Sequence, residues 1–211
     1  MAARKNPQEE YERVLEMKQF DANHKKGSHL AGVDEAGRGP LAGPVFAAAV
    51  ILPDDVVIEG INDSKKLSEK KREKLFFEIC EKAIAYSVFS VDEKRIDELN
   101  ILQATFEAMR GAVRGLSVTP DYVLIDGDKS PGIEIPHKPV IKGDSKSMAI
   151  AAASILAKVS RDRYITKAGE EYPGYGFEKH KGYGTKAHYE AIEKYGICPI
   201  HRRTFLRKLL K

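Results

Sequence analysis

The sequence predicts an α/β fold with a mixed β-sheet flanked by helices, and three features of its hydrophobic pattern support this prediction. Two apolar segments, at about 29–34 and 45–52, stand on either side of a turn rich in glycine and proline, which predicts a hairpin. Amphipathic helical segments and short apolar strands alternate after that hairpin. An alanine-rich helix at 148–164 has side chains small enough to lie close against a sheet. Such alternation is typical of α/β proteins.

Capping residues and the spacing of apolar side chains predict the elements in order. The segment 122–125 is continuously apolar, as expected of a strand in the middle of a sheet. A loop rich in glycine, tyrosine and lysine at 172–185 precedes the last helix, and a short basic amphipathic segment follows it. The full set is a helix at 7–24, the hairpin, a helix capped by Ser68, a strand at 85–91, a long helix capped by Asp92 and reaching Val113, strands at 122–125 and 140–141, the helix at 148–164 and a C-terminal helical region that begins with a helix capped by Thr185.

Length and composition restrict the class of protein. A chain of 211 residues, 42% of them hydrophobic, is long enough to bury the core of one domain. The net charge of +4 is a mild basic bias and weak evidence for nucleic acid. Cys80 and Cys198 lie far apart without metal-ligand spacing, which indicates a reducing compartment. No segment resembles a signal peptide or reaches the ~20 apolar residues of a membrane span, so we expect a cytoplasmic protein without membrane contact.

Four acidic residues stand at the ends of predicted elements, and three of them have glycine nearby. They are Asp34 and Glu35 at the end of the first apolar segment, Asp126 after the segment 122–125, and Asp144 before the alanine-rich helix. Magnesium prefers oxygen ligands, and a two-metal site stabilises both the attacking and the leaving oxygen of a phosphoryl displacement. Acids of this kind that converge in the fold predict a metal-dependent nuclease.

Each acid also has a plainer interpretation. Asp34 and Glu35 could be solvated residues where a strand reaches the surface, Asp126 could belong to an Asp-Gly-Asp turn, and Asp144 is a good N-cap. Neighbouring residues on a regular strand point to opposite faces, so Asp34 and Glu35 can face one cation only if the strand ends between them. The Ala-Gly sequence that follows makes such an ending plausible.

Several motifs around these acids resemble those of the ribonuclease HII family, the type 2 ribonucleases H. They occur in the same order over about 30–205 and are DEAGRGPLAGPV at 34–45, DSKKL at 63–67, Asp-Gly at 126–127, Lys-Gly-Asp at 142–144, HKGYGT at 180–185 and CPIHR at 198–202. The resemblance implies a ribonuclease H-like fold and an endonuclease that cleaves RNA paired with DNA, including single ribonucleotides embedded in duplex DNA. It implies Mg²⁺ or Mn²⁺ as cofactor, two ions with substrate bound, and products with 3′-hydroxyl and 5′-phosphate ends.

The resemblance also assigns roles to individual residues. The metal-binding and catalytic acids of the family match Asp34, Glu35, Asp126 and Asp144. The motif that reads the ribose 2′-hydroxyl, the group that distinguishes RNA from DNA, matches Gly37, Arg38 and Gly39. The tyrosine that stacks on the sugar at the RNA–DNA junction matches Tyr183. Nearby basic side chains are expected to neutralise substrate phosphates and to make binding sensitive to salt; these are Lys65, Lys66, Lys142, Lys146 and Arg161.

The resemblance divides the chain into a short N-terminal helical extension at 1–28 and a catalytic domain at 29–211. The related ribonuclease HIII type carries a substantial N-terminal domain, for which the residues before the motif are too few. No clamp-binding motif is recognisable at the C-terminus, so we expect no clear protein partner. A monomer is the default expectation for the oligomeric state.

Two other functions deserve comparison with the nuclease. The segment 37–43 superficially resembles a dinucleotide-binding loop, but Pro40, Pro44 and the predicted strand after them argue against that function. The four intact acids argue against a protein that only binds hybrids without cleaving them.

Overall fold

A five-stranded mixed β-sheet forms the centre of the fold. The computed structural model describes residues 6–209 of the chain. The strands are β1 (Leu30–Ala36), β2 (Val45–Ile51), β3 (Ala85–Val91), β4 (Tyr122–Asp126) and β5 (His137–Val140). Their order in the sheet is β3-β2-β1-β4-β5, with antiparallel pairing of β1 and β3 to β2 and parallel pairing of β1 and β5 to β4. The predicted α/β class with a mixed sheet is therefore confirmed.

Helices flank the sheet and continue beyond it. In the described residues they are α1 (Pro7–His24), α2 (Glu69–Lys82), α3 (Glu93–Leu99), α4 (Ile101–Arg114), α5 (Met148–Glu171), α6 (Phe177–His180) and α7 (Lys186–Tyr195). Short 3₁₀ turns occur at Ser64–Lys66, Gly143–Ser145 and Arg203–Leu206. Within residues 6–209, none of the helices has the length and hydrophobicity that crossing a membrane requires.

The two central strands are covered on both faces. Apolar residues of α4 pack against one face and those of α5 against the other, so every residue of β2 is buried. The small residues of α5 allow a close approach, as the sequence predicts. A Cβ added at Gly32 in β1 would stand only 2.1 Å from the carbonyl carbon of Ala149 in α5.

The prediction of one long helix after Asp92 is wrong in one respect, because the structure has two helices there, α3 and α4. Asn100 lies between α3 and α4 with a φ of 78°. Its Oδ1 atom accepts the N–H groups of Leu102 at 3.0 Å and Gln103 at 3.2 Å. Asparagine tolerates the left-handed region and caps helices well, so it interrupts an apolar spacing that otherwise continues.

The predicted N-terminal helix packs against α5. Val14 and Met17 are buried in the same hydrophobic cluster as α5 residues. The Oδ2 atom of Asp21 accepts the N–H of Ala149 at 2.9 Å, close to the beginning of α5. Burial raises the pKa of Asp21 to about 6. The boundary at residue 28 stays a prediction.

Candidate metal and nucleic-acid site

The carboxyl ends of the parallel strands β1 and β4 bring Asp34 and Asp126 together. The strand register pairs Val33 with Ile125, which places Asp34 beside Asp126 at the next position. Both side chains therefore leave the same face of the sheet. Open α/β sheets bind their ligands at the carboxyl ends of the strands, so this edge is the expected location of a site.

A hydrogen-bonded turn attaches Asp144 to the same edge. The Oδ1 atom of Asp126 accepts the N–H of Gly143 at 2.7 Å and the N–H of Asp144 at 3.3 Å. The N-cap of α5 is Ser147, whose hydroxyl accepts the N–H of Ile150 at 3.1 Å. The plainer interpretation of Asp144 as the cap of this helix is therefore wrong.

Strand β1 does not end between Asp34 and Glu35, contrary to the expectation from sequence. It continues to Ala36 and pairs Asp34 with Ala48 and Glu35 with Ala47. The two carboxylates therefore leave opposite faces. Glu35 lines a cavity of about 140 Å³ that Asp126 also lines. Side chains from both faces of the sheet can contribute to one site here, because the acids stand near the end of β1, where a side chain can reach around the strand terminus.

The acids of this site raise one another's pKa values. Burial and the negative charges of Glu35 and Asp126 raise the pKa of Asp34 well above its usual range. Burial and the charge of Asp126 raise the pKa of Asp144 to about 6. Burial also raises the pKa of Glu35, although the nearby Arg38 opposes the shift. Like charges at close range disfavour full ionisation, and a bound cation would relieve this repulsion.

The donor set consists of carboxylate oxygens, which suit a hard divalent cation such as Mg²⁺ or Mn²⁺. Among residues 6–209, no three acidic, histidine or cysteine side chains are placed to hold one ion at the same time. Magnesium commonly takes one or two carboxylates and completes its shell with water and substrate phosphate. The residues present therefore fit a divalent ion whose remaining ligands come from water and substrate.

The loop at 37–39 leaves β1 beside the acids. Gly37 has a φ of +99°, and a Cβ added there would stand 2.4 Å from the Nε atom of Arg161. Both the conformation and the space therefore require glycine at this position. Arg38 is exposed, and its Nη1 atom lies 3.6 Å from the Oε1 atom of Glu35. Its guanidinium is therefore close to the acids and open to solvent.

Tyr183 faces the same loop. Its side chain is 44% exposed, and a Cβ added at Gly39 would stand 3.5 Å from its ring. Its backbone is held from two sides, since its N–H donates to the carbonyl of His180 at 3.0 Å and its carbonyl lies 2.9 Å from the Nδ1 atom of His188. A fixed backbone with an exposed ring suits a stacking contact.

The four predicted lysines surround this edge and are exposed: Lys65, Lys66, Lys142 and Lys146. Partial burial would lower the pKa of Lys65, but the charges of Asp34 and Asp63 reverse this effect and raise it. Lys65 is therefore within electrostatic reach of the acids. The Nζ atom of Lys66 lies 3.9 Å from the Oδ2 atom of Asp63, and Lys142 and Lys146 stand on either side of the turn that carries Asp144.

Arg161, predicted to contact substrate phosphates, is buried and not on the surface in this structure. Its side chain is 1% exposed, and its Nη2 atom donates to the carbonyl of Lys181 at 2.8 Å. The guanidinium lies 5.7 Å from the ring centre of Tyr183, and its Nε and Nη1 atoms are buried without a hydrogen-bond partner. Arg161 belongs to α5, which packs beneath the loops, so its charge is enclosed by protein.

Sequence reasoning did not single out two residues that the structure places here. Asp63 caps the turn Ser64–Lys66 and faces Asp144, whose pKa it raises. It lies in the DSKKL segment, where an acid next to two lysines was a usable signal. Arg202 is fully buried below the loop at 37–39. A single arginine carries no local signal of burial, because arginine is usually exposed.

Comparisons with known proteins agree over most of the chain. The family model for Ribonuclease HII matches residues 31–208. The ribonuclease HII of Caldicellulosiruptor saccharolyticus is 60% identical over 182 residues, which cover 86% of this chain and 89% of that protein. The ribonuclease HII of Clostridioides difficile is 54% identical over 207 residues, which cover 97% of this chain and 81% of that protein.

Solved structures share the fold. The crystal structure of the ribonuclease H2 from Pyrococcus horikoshii has a TM-score of 0.71 at 32% identity and covers 86% of this chain and 96% of that one. The RNase HII of Archaeoglobus fulgidus, solved in a complex with PCNA, has a TM-score of 0.67 at 27% identity, with coverage of 82% and 93%. Because the family model and the relatives match most of its length, this chain belongs to the ribonuclease HII family, metal-dependent hydrolases with ribonuclease H activity on RNA–DNA hybrids.

Proposed function

We propose that this protein cleaves the RNA strand of RNA–DNA hybrids and incises duplex DNA on the 5′ side of embedded ribonucleotides. Cleavage leaves 3′-hydroxyl and 5′-phosphate ends. The observation that carries the proposal is the meeting of Asp34, Asp126 and Asp144 at the carboxyl ends of two parallel strands. These acids lie beside a glycine loop suited to close approach by a nucleic-acid backbone.

The proposed cofactor is Mg²⁺ or Mn²⁺, with two ions present when substrate is bound. Bound ions would lower the pKa of the attacking water and stabilise the leaving 3′-oxygen. Asp34 is the most buried of the four acids and lies within electrostatic reach of Glu35, Asp126 and Asp144, so these four side chains would hold the ions. A structure of Bst-RNase HIII, which shares the fold at a TM-score of 0.61, was solved in complex with Mn²⁺.

The groups around the acids position the substrate. The loop at 37–39 reads the ribose 2′-hydroxyl through its main chain, because glycines let backbone groups approach a ligand closely. Tyr183 stacks on the sugar at the junction, and Arg38 binds a phosphate through its exposed guanidinium. The exposed lysines neutralise phosphates farther along the duplex.

Residues 29–211 are the catalytic domain in this proposal, and residues 1–28 are an N-terminal extension whose described part contains α1; residues 1–5, 210 and 211 lie outside the described residues. Val14 and Met17 are buried against α5, so we propose that the extension stabilises the catalytic domain. We propose a monomer as the working unit.

A labelled DNA duplex that contains one ribonucleotide provides the test. In Mg²⁺ or Mn²⁺ we expect a single nick 5′ to the ribonucleotide, with ends identified by their mobility and by ligation. EDTA should abolish the nick, and the all-DNA duplex should remain intact. Metal-independent cleavage, or binding of the duplex without any nick, would contradict the proposal.

A further inference from the structure

Arg202 is fully buried, and its guanidinium binds three carbonyl groups of the segment that follows β1. Its Nε atom donates to the carbonyl of Gly43 at 2.9 Å and its Nη1 atom to that of Arg38 at 2.9 Å. Its Nη2 atom donates to the carbonyl of Gly37 at 2.6 Å. A planar guanidinium carries five donors in a fixed arrangement, so it can hold several carbonyls in one geometry.

These hydrogen bonds decide the direction in which the loop presents its N–H groups. In a trans peptide unit, the carbonyl and the N–H of the next residue point in opposite directions. Because the carbonyls of Gly37 and Arg38 point toward buried Arg202, the N–H groups of Arg38 and Gly39 point away from it. Both residues are exposed, and no hydrogen bond between described residues uses either N–H.

The position of Arg202 is itself fixed by backbone pairing. Its N–H donates to the carbonyl of Leu41 at 2.8 Å, and the N–H of Gly43 donates to the carbonyl of Ile200 at 2.8 Å. The N–H of Leu41 donates to the carbonyl of Gly182 at 2.8 Å, next to Tyr183. The same segment therefore joins the loop at 37–39 to the loop that carries the tyrosine.

We infer that Arg202 is a positioning residue for recognition of the ribose 2′-hydroxyl, because it holds the N–H groups of Arg38 and Gly39 ready to donate to the substrate. The inference rests on the proposed function, in which the loop at 37–39 reads that hydroxyl. A loop with two glycines would otherwise sample many conformations, and ordering it on binding would lower affinity. Arg202 removes that cost before the substrate arrives.

The test compares two duplexes of the same sequence, one all DNA and one with a single ribonucleotide. Binding is measured in the Asp34→Asn background, which prevents cleavage. In that background the ribonucleotide duplex should bind more tightly. Arg202→Lys and Arg202→Met should reduce this preference about tenfold, as expected for one or two lost hydrogen bonds. Affinity for the all-DNA duplex should stay the same.

Arg110→Met is the matched control. Its Nη1 atom donates to the carbonyl of Pro131 at 2.6 Å, a guanidinium–carbonyl bond outside the candidate site. This variant should keep the preference for the ribonucleotide duplex, even where its thermal stability falls. The positioning role would be overturned if the Arg202 variants bind both duplexes more weakly by the same factor. It would also be overturned if the only change is a lower melting temperature of the protein.

The outcomes separate this inference from the proposed function. If the Asp34→Asn protein binds both duplexes equally, recognition of the 2′-hydroxyl itself fails. If the Arg202 variants do not fold, amide spectra of the ¹⁵N-labelled Asp34→Asn protein decide instead. The N–H signals of Arg38 and Gly39 should shift with the ribonucleotide duplex far more than with the all-DNA duplex. Equal shifts would overturn the inference.

Discussion

The Oδ1 atom of Asp126 accepts the N–H of Asp144 at 3.3 Å, so the carboxylate at the end of β4 also fixes the next acid along the chain. The same oxygen accepts the N–H of Gly143 at 2.7 Å. Backbone geometry therefore holds Asp144 beside the end of β4.

Asp34→Asn should reduce cleavage of the ribonucleotide duplex by at least about 100-fold, since a metal-held charge supplies several kcal/mol to phosphoryl transfer. In EDTA the same variant should be more stable, because it removes a buried charge repelled by its neighbours. Cleavage assays and urea unfolding measure the two effects. Asp55→Asn, at an exposed position near the opposite end of the sheet, is the control and should change neither. Normal turnover by Asp34→Asn would refute its assignment.

Divalent ions should stabilise the folded protein. Mg²⁺ at ten to a hundred times its Kd should raise the free energy of unfolding by about 1–3 kcal/mol, because only the folded chain brings the acids together. Thermal melts with Mg²⁺ and with EDTA, at matched ionic strength, measure this shift. The Asp34→Asn variant should lose most of it. An identical shift in both proteins would place the ion elsewhere.

Gly37→Ala should impair both stability and cleavage. The φ of +99° costs an L-residue about 1–2 kcal/mol, and the added Cβ would overlap the Nε atom of Arg161 at 2.4 Å. Gly132→Ala is a matched control, because Gly132 has a φ of +71° but open space around the added Cβ. Urea unfolding should show a larger loss for Gly37→Ala. Equal losses would mean that backbone strain alone matters.

Lys65→Met should weaken binding of a hybrid duplex. It should also reduce the slope of log affinity against log salt concentration by about one, which corresponds to one released counterion. The reason is that Lys65 stands beside the acids, where a scissile phosphate would lie. Binding measured over a series of salt concentrations gives the slope. Lys186→Met is the control, since that side chain is 92% exposed and lies near Glu190. A slope unchanged by Lys65→Met would exclude a phosphate contact.

Stability should depend on pH through a buried histidine pair. Burial and the neighbouring His188 lower the pKa of His201 to about 4, so it stays neutral in the folded protein. The unfolded chain takes up that proton near its ordinary pKa of 6.5. This contribution is therefore complete above about pH 6.5 and is lost as the pH falls toward 4, by about 2 kcal/mol between pH 7 and 5.

The raised pKa values of Asp34 and Asp144 change stability in the opposite direction, because the folded state then binds more protons. The informative quantity is therefore the difference in pH slope between the protein and its His201→Asn variant. That variant should lose less stability on acidification. Equal pH slopes in the protein and in this variant would contradict the prediction.

Local signals predicted much of this fold correctly. Ser68, Asp92 and Thr185 are the N-caps that the sequence predicts, because a short polar side chain before an apolar spacing is a local feature. The break at Asn100 was not predicted, since the apolar spacing of α3 and α4 continues through it. The strand predicted at 140–141 lies instead at His137–Val140, because its register is set by pairing with β4.

The sequence by itself determined the family and the class of fold and named the four candidate acids, since these follow from motifs and hydrophobic spacing that neighbouring residues carry. Only the tertiary structure decided that Glu35 leaves the opposite face from Asp34, that Arg161 is enclosed, and that Arg202 holds Gly37 across 165 positions of chain. The physical reason is that burial and contact between distant residues depend on strand register and on which segments cover one another. Neither property is encoded in the residues beside them.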